Sequence, residues 1–248
     1  MAVYRSDSFL AHLPADLPLR ERVWLEGVGF SVAVADLAFE RLRALLLQIS
    51  DEGLRAAESI PLALADAWTY VDGAHRLSDL LGCGAGTLGT SDLGRLGRDF
   101  TKASKPILEL RNSVQHVGHT EFARAQATGI PIWGVVSWAA VMPQDRIRTF
   151  SLSSGGGGNK IEHQLVNPLG RSFEARLDHV HLEAFGDRAN LSGSHRAMAA
   201  FVNELENVLV GRFADARRDW PGGLVSMDID LSTNALEEAH ERAPGSTD

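Results

Sequence analysis

Leu110-Arg111-Asn112-Ser113-Val114-Gln115-His116 is the stretch on which the reading of this chain turns. Leu110 and Val114 stand four apart, and Ile107 and Val117 extend them to the spacing of one buried helix face. Asn112 and His116, also four apart, share a second face of that helix. Arg111 precedes His116 by about 7.5 Å along the axis and points about 140° away from it. Its side chain is long enough to bend back. A guanidinium stays charged at any relevant pH and an imidazole titrates near neutrality. Such a pair can hold a phosphate and move a proton.

The surrounding pattern is helical on the N-terminal side. The helix carrying the stretch is predicted over residues 93–117, kinked or restarted at Pro106, with Ser104 as the cap of the restart and Gly118 just past the end. Residues 29–50 place Val34, Leu37, Leu42, Leu45, Leu46 and Ile49 at helical spacing. Residues 59–81 are apolar on two sides, which predicts a central helix covered by its neighbours. Residues 1–27, with Pro14 and Pro18, read as an irregular lead-in, and the glycine cluster at residues 82–86 as a loop.

Beyond Gly129 the period changes to two. Residues 130–141, 146–153, 161–166 and 172–185 read as strands of an antiparallel meander, with the glycine run at 155–158 as a hairpin tip. A long last helix is expected over residues 195–213, capped by Ser192 or Ser194. Residues 225–231 read as an edge strand and residues 234–248 as a frayed tail. The expected fold class is therefore α+β: a helical bundle over 28–125, a β-meander over 126–190, and a C-terminal helix and edge strand over 191–233 packing back.

Bulk properties narrow the function. The 248 residues are 44% hydrophobic and 23% charged, as in ordinary globular proteins. A formal net charge of −8 argues against a general nucleic-acid coat. The segment 95–124 runs against that average, with six basic residues to three acidic. A single cysteine, Cys83, excludes an internal disulfide and a multi-cysteine metal site. Residues 1–16 lack a basic region followed by an apolar one, and no apolar run is long enough for a membrane helix. A cytoplasmic location, with no membrane partner, is expected.

Arg111-Asn112-Ser113-Val114-Gln115-His116 resembles the R-x(4–6)-H motif of the HEPN superfamily (higher eukaryotes and prokaryotes nucleotide-binding domains). A polar residue after the arginine and a place near the end of a bundle helix are both typical of that motif. Residues 65–76 look like the companion helix of such bundles. The resemblance covers residues 28–125. It implies a homodimer through the helical bundle, with two motifs facing each other. Many members are metal-independent endoribonucleases of toxin, stress and antiphage defence systems. In that role His116 would be the general acid/base, Arg111 would stabilise charge on the scissile phosphate, and Asn112 would orient one of these groups. The reaction needs the 2′-hydroxyl, so the substrate would be RNA. Asp72, His75 and His119 are the nearest candidates for support. The alternative is a non-catalytic dimerisation or binding module whose meander recruits a partner, and a regulatory protein partner fits either case.

A purely structural role reads differently. Arg111 would then pair with Glu109, Asp72 or Asp66, and His75 would take Asp72 or Asp79. His116 and His119 would need a third ligand to hold a metal, and none is nominated nearby. His179 and His181, with His163 on a neighbouring strand, read as a solvated sheet face rather than a zinc site. No cofactor and no metal are expected.

Overall fold

The computed structural model describes residues 3, 8–14, 16–53, 58–84, 91–115, 118–155 and 165–214. Within them the chain forms α1 (Leu19–Glu52), α2 (Ser59–Gly84), α3 (Ser91–Gln115), α4 (His119–Thr128), β1 (Val135–Met142), β2 (Arg146–Ser153), β3 (Leu177–Ala184), β4 (Asp187–Asn190) and α5 (Leu191–Arg212). The α+β class expected from the sequence is the class observed.

α1 begins at Leu19, inside the segment expected to be irregular. Pro18 sits just before the first helical residue at φ −52°, ψ 138°. A proline there breaks no helical hydrogen bond, so it starts the helix rather than preventing it. The lead-in itself is pinned: Phe9, Leu10, Leu13 and Leu17 are buried. The backbone N–H groups of Phe9 and Leu10 donate to the Glu206 carboxylate of α5, at 2.9 and 3.1 Å.

α2 is the central helix its two apolar sides predict, packing on α1, α3, α5 and β1. It extends through Gly82 and Cys83 to Gly84, residues expected in a loop. Gly84 is a contact residue, because a Cβ there would run into the Trp24 indole, whose Nε1 donates to the Leu80 carbonyl at 2.8 Å.

α3 runs through Pro106 without a break, against the expected restart. Phe100, Ile107 and Leu110 are fully buried where α3 packs along α5, and that burial outweighs the one backbone bond proline removes. Ser104 is not a cap. It is buried, and its Oγ lies 2.8 Å from Ser194 Oγ of α5. α4 has no counterpart among the expected helices. Gly118 precedes it, donating its N–H to the Glu121 carboxylate at 3.2 Å, and Gly129 ends it in the left-handed region. Ala125 is its one buried residue among those described, so its sequence carries no apolar stripe to read.

The four-stranded sheet is antiparallel, in the order β2-β1-β3-β4. β1 is shorter than the strand read from the sequence, because residues 130–134 form a turn in which the Gly134 N–H donates to the Pro131 carbonyl at 2.7 Å. β1 lies between β2 and β3, so the chain returns to its far edge instead of stepping sideways strand by strand. Residues 161–164 of one expected strand lie outside the described residues, and Leu165 and Val166 are not in a strand. β4 leads directly into α5. Asn190 caps that helix, accepting from the Gly193 N–H at 2.9 Å, where Ser192 or Ser194 was expected. Ser192 instead accepts from the Val180 N–H of β3, at 2.9 Å. The expected strand over 225–231 and the tail over 234–248 lie outside the described residues.

One contiguous core runs from Phe9 to Leu209 and joins helices to sheet. Trp138 of β1 is fully buried, stacks on Phe150 at 5.2 Å, and donates to Ser50 Oγ of α1 at 2.9 Å. No helix of the described residues is long and apolar enough to cross a membrane.

The backbones of α1 and α2 approach closely where Gly73 of α2 meets Ala35 of α1: a Cβ on Gly73 would stand 3.0 Å from the Ala35 Cβ and 3.1 Å from its backbone nitrogen. Gly73→Leu is therefore expected to lower unfolding free energy by about 1–3 kcal/mol through overpacking, measured by urea denaturation. A variant as stable as the parent would refute this account of the contact.

Candidate functional site

The motif stretch forms the last turns of α3. Leu110 is buried against the core, which turns the neighbouring Arg111 and Asn112 toward the rim. Asn112 is exposed. Arg111 lies over α2, with its Nε 3.7 Å from Asp72 Oδ1 and its side chain 23% exposed. At that distance the pair is electrostatic rather than hydrogen-bonded, and the buried Arg111 Nε makes no hydrogen bond. Asp72 also accepts from Arg76 Nε at 2.8 Å, one turn along α2. Of the three acids weighed for Arg111, Asp72 is thus the one it meets, while Asp66 pairs with Arg41 at 3.2 Å.

His116 lies outside the described residues. His119 is exposed at the first position of α4. His75 is not drawn into the cluster, since its Nδ1 lies 3.0 Å from Asp79 Oδ2 on its own helix. Asp187 at the start of β4 sits beside the motif and faces two groups there. Ser113 Oγ approaches it at 3.5 Å from α3, and Arg124 lies at 3.6 Å from α4. The end of α3, α4 and β4 therefore meet in one charged corner, with Asp72 and Asp187 each facing an arginine.

The histidines of β3 do not share the face that strand periodicity predicts. His179 occupies an irregularity in the β1–β3 pairing at φ +55°, which breaks the alternation. It is buried edge-on against Phe173, with its Nε2 3.1 Å from the Ser172 carbonyl oxygen. His181 accepts from Arg188 Nε at 3.2 Å. Burial and the positive charges of Arg188 and Arg171 push its imidazole down to about 3. It is neutral at physiological pH. His163 lies outside the described residues.

Two buried charge groups went unread in the sequence. His195 of α5 places its Nε2 2.9 Å from Asp36 Oδ1 of α1, and the ring stacks on Phe39 at 4.2 Å. Asp178 of β3 is 2% exposed. Burial pushes its carboxyl up, but hydrogen bonds from Arg196 and from the His179 and Glu174 N–H groups outweigh that and hold it below the usual range. Arg196 meets Asp178 at 2.8 Å and Glu174 at 3.2 Å. Partners 159 and 18 residues apart leave no short motif to find.

Comparison of the chain with protein-family models, curated proteins and solved structures finds no match.

Asp178→Asn should destabilise the fold by about 3 kcal/mol, because it strips a buried partner from Arg196. Chemical denaturation at pH 7 checks this, and a loss under 1 kcal/mol would contradict it. His181 makes a separate prediction about pH. Its folded value lies below the unfolded value of about 6.5, so only the unfolded chain takes up this proton as pH falls. Stability from this group is complete above about pH 6.5 and declines toward pH 3, by up to about 1.4 kcal/mol per unit. Denaturation midpoints at pH 7 and pH 5 should therefore diverge more in the parent than in His181→Gln. An equal divergence would show that His181 does not carry the effect.

Proposed function

We propose that this chain is a HEPN-like, metal-independent endoribonuclease of a toxin, stress or antiphage defence system, acting as a homodimer. The observation that carries the reading is the pair Arg111 and Asn112 at the end of α3, with Asp72 of α2 holding the guanidinium from behind at 3.7 Å. A carboxylate at that distance orients the arginine without saturating it, and leaves its other nitrogens to meet a phosphate oxygen. His116 follows within five residues and would supply the proton transfer at the 2′-hydroxyl or the leaving oxygen. Exposed Asn112 would contact the same phosphate or orient one of the two groups.

Self-association has support elsewhere on the surface. Leu19, Val23, Phe30 and Leu37 of α1 are exposed at 76%, 58%, 65% and 61%. Their spacing of four, seven and seven places them within about 40° of arc along one helix face. An apolar stripe of that length suits a helix-to-helix contact with a second copy.

The non-catalytic reading, a dimer or binding module whose sheet recruits a partner, is favoured by the same Arg111–Asp72 pair taken as complete in itself. One assay separates the two. The parent should cleave single-stranded RNA with excess chelator present. Arg111→Ala and His116→Ala, each folded by circular dichroism, should each lose at least about 100-fold in rate. Cleavage that survives both substitutions removes the site, and a parent without activity on RNA favours the binding module. Phe30→Glu with Leu37→Glu should shift the sedimenting species from dimer to monomer. A parent that sediments as a monomer would exclude the dimer.

A further inference from the structure

Asp36 and Glu40 stand four residues apart on α1, so their carboxylates share one helix face. His195 reaches the same place from α5. One donor atom from each of the three lies within 4.8 Å of the other two. We infer that Asp36, Glu40 and His195 form a binding site for one divalent transition-metal ion of the zinc class, clamping α5 to α1. This site is separate from the motif at the end of α3 and adds to the function proposed there.

The geometry is close to what such an ion needs. Tetrahedral zinc with ligand bonds of about 2.0–2.1 Å spaces its donors about 3.4 Å apart. Asp36 Oδ1 and His195 Nε2, at 2.9 Å, are already near that spacing. Glu40, within 4.8 Å of both, reaches ligand spacing through a rotamer adjustment of its partly exposed side chain. Its ion pair with Arg43, at 3.2 Å and three residues along the same helix, is of the weak surface kind and can yield. Asp36 keeps its second oxygen for the Val3 N–H, at 2.8 Å. The stacked Phe39 ring fixes the plane of the imidazole.

A second observation points to the same centre. The Tyr70 hydroxyl is fully buried, and Ser194 of α5 is its hydrogen-bonding neighbour. The Tyr70 ring centroid lies 6.2 Å from that of His195, and the Asp36 charge acts on the phenol. A buried phenol held between the Ser194 hydroxyl and the Asp36 charge suits the outer shell of a metal, where such groups orient the ligands. A cavity of about 220 Å³, lined by Glu40, His195, Asp178 and Arg196 among others, opens onto the cluster and leaves room for water at the remaining coordination position. Two carboxylates balance the 2+ charge. The imidazole favours zinc-class ions over calcium or magnesium, which take oxygen ligands. On ligation the metal takes the place of the Nε2 proton that faces Asp36; that proton leaves to solvent or moves to Nδ1, so that the neutral imidazole ligand carries its one proton on Nδ1.

The test is calorimetric titration of the chelator-treated full chain with zinc chloride, together with its thermal melting curve. The parent should bind one zinc per chain at micromolar or lower concentration and melt at higher temperature with zinc than without. Glu40→Gln removes a ligand from a partly exposed position and should fold as the parent does. Its affinity should fall at least tenfold, while its melting temperature without zinc stays unchanged. Glu204→Gln, a carboxylate elsewhere on α5, should bind as the parent does. Absence of saturable binding by the parent overturns the inference. So does Glu40→Gln binding with parental affinity, which would place the zinc at other histidines.

Discussion

Where Gly73 meets Ala35, α1 and α2 approach so closely that no side chain fits between them. The rest of the helical half follows from that contact. With the two axes held together there, Phe39 comes to 5.4 Å from Tyr70, ring to ring, and Asp36 faces the same seam. α5 then fills the groove beside the pair, carrying His195 onto Asp36 and Phe39. A larger residue at position 73 would push α1 outward and open the seam that α5 closes.

Polar groups hold the last element in its place as much as apolar ones do. α5 presents Met198, Phe201, Val202, Leu205 and Leu209 to the core, a stripe that would tolerate sliding along the groove. Its polar contacts do not tolerate sliding. Ser194 meets Ser104 of α3, His195 meets Asp36 of α1, Arg196 meets Asp178 of β3, and Glu206 takes two N–H groups of the lead-in. Each is directional, and a shift of one residue would leave the buried Ser104, Ser194, Asp36, His195 and Asp178 without these partners. Net stabilisation from such pairs is small, but the penalty for breaking them is large, and that difference fixes register.

Burial patterns made part of this legible in the sequence. α2 and α5 announce themselves by apolar spacing, and β2 lies where its residues place it. α4 and β4 were invisible for the opposite reason: a ten-residue helix with one buried residue and a four-residue strand present no periodicity to read. The start of α1 was misread because Pro18 looks like a breaker, and sequence alone does not distinguish a proline inside a helix from one just outside it. The irregularity at His179 defeated strand alternation, so His179 and His181 took separate environments. At the motif, the sequence reduced the partners of Arg111 to three acids, and the packing of α2 selected Asp72. The Asp36–His195 pair joins the first helix to the last, and no local pattern encodes a contact across that distance.

α2 also links the two polar centres. Tyr70 and Asp72 are two residues apart, about 200° around the helix. One turns into the core beside Asp36 and His195, and the other turns out to Arg111. A slip of α2 by one residue would rotate both by about 100°, removing Tyr70 from the buried pair and Asp72 from the motif arginine in a single movement. Gly73, next after Asp72, opposes that slip, because its neighbours Asp72 and Ala74 both carry the Cβ that the approach to Ala35 forbids. A single missing methyl group thereby keeps both sites in alignment.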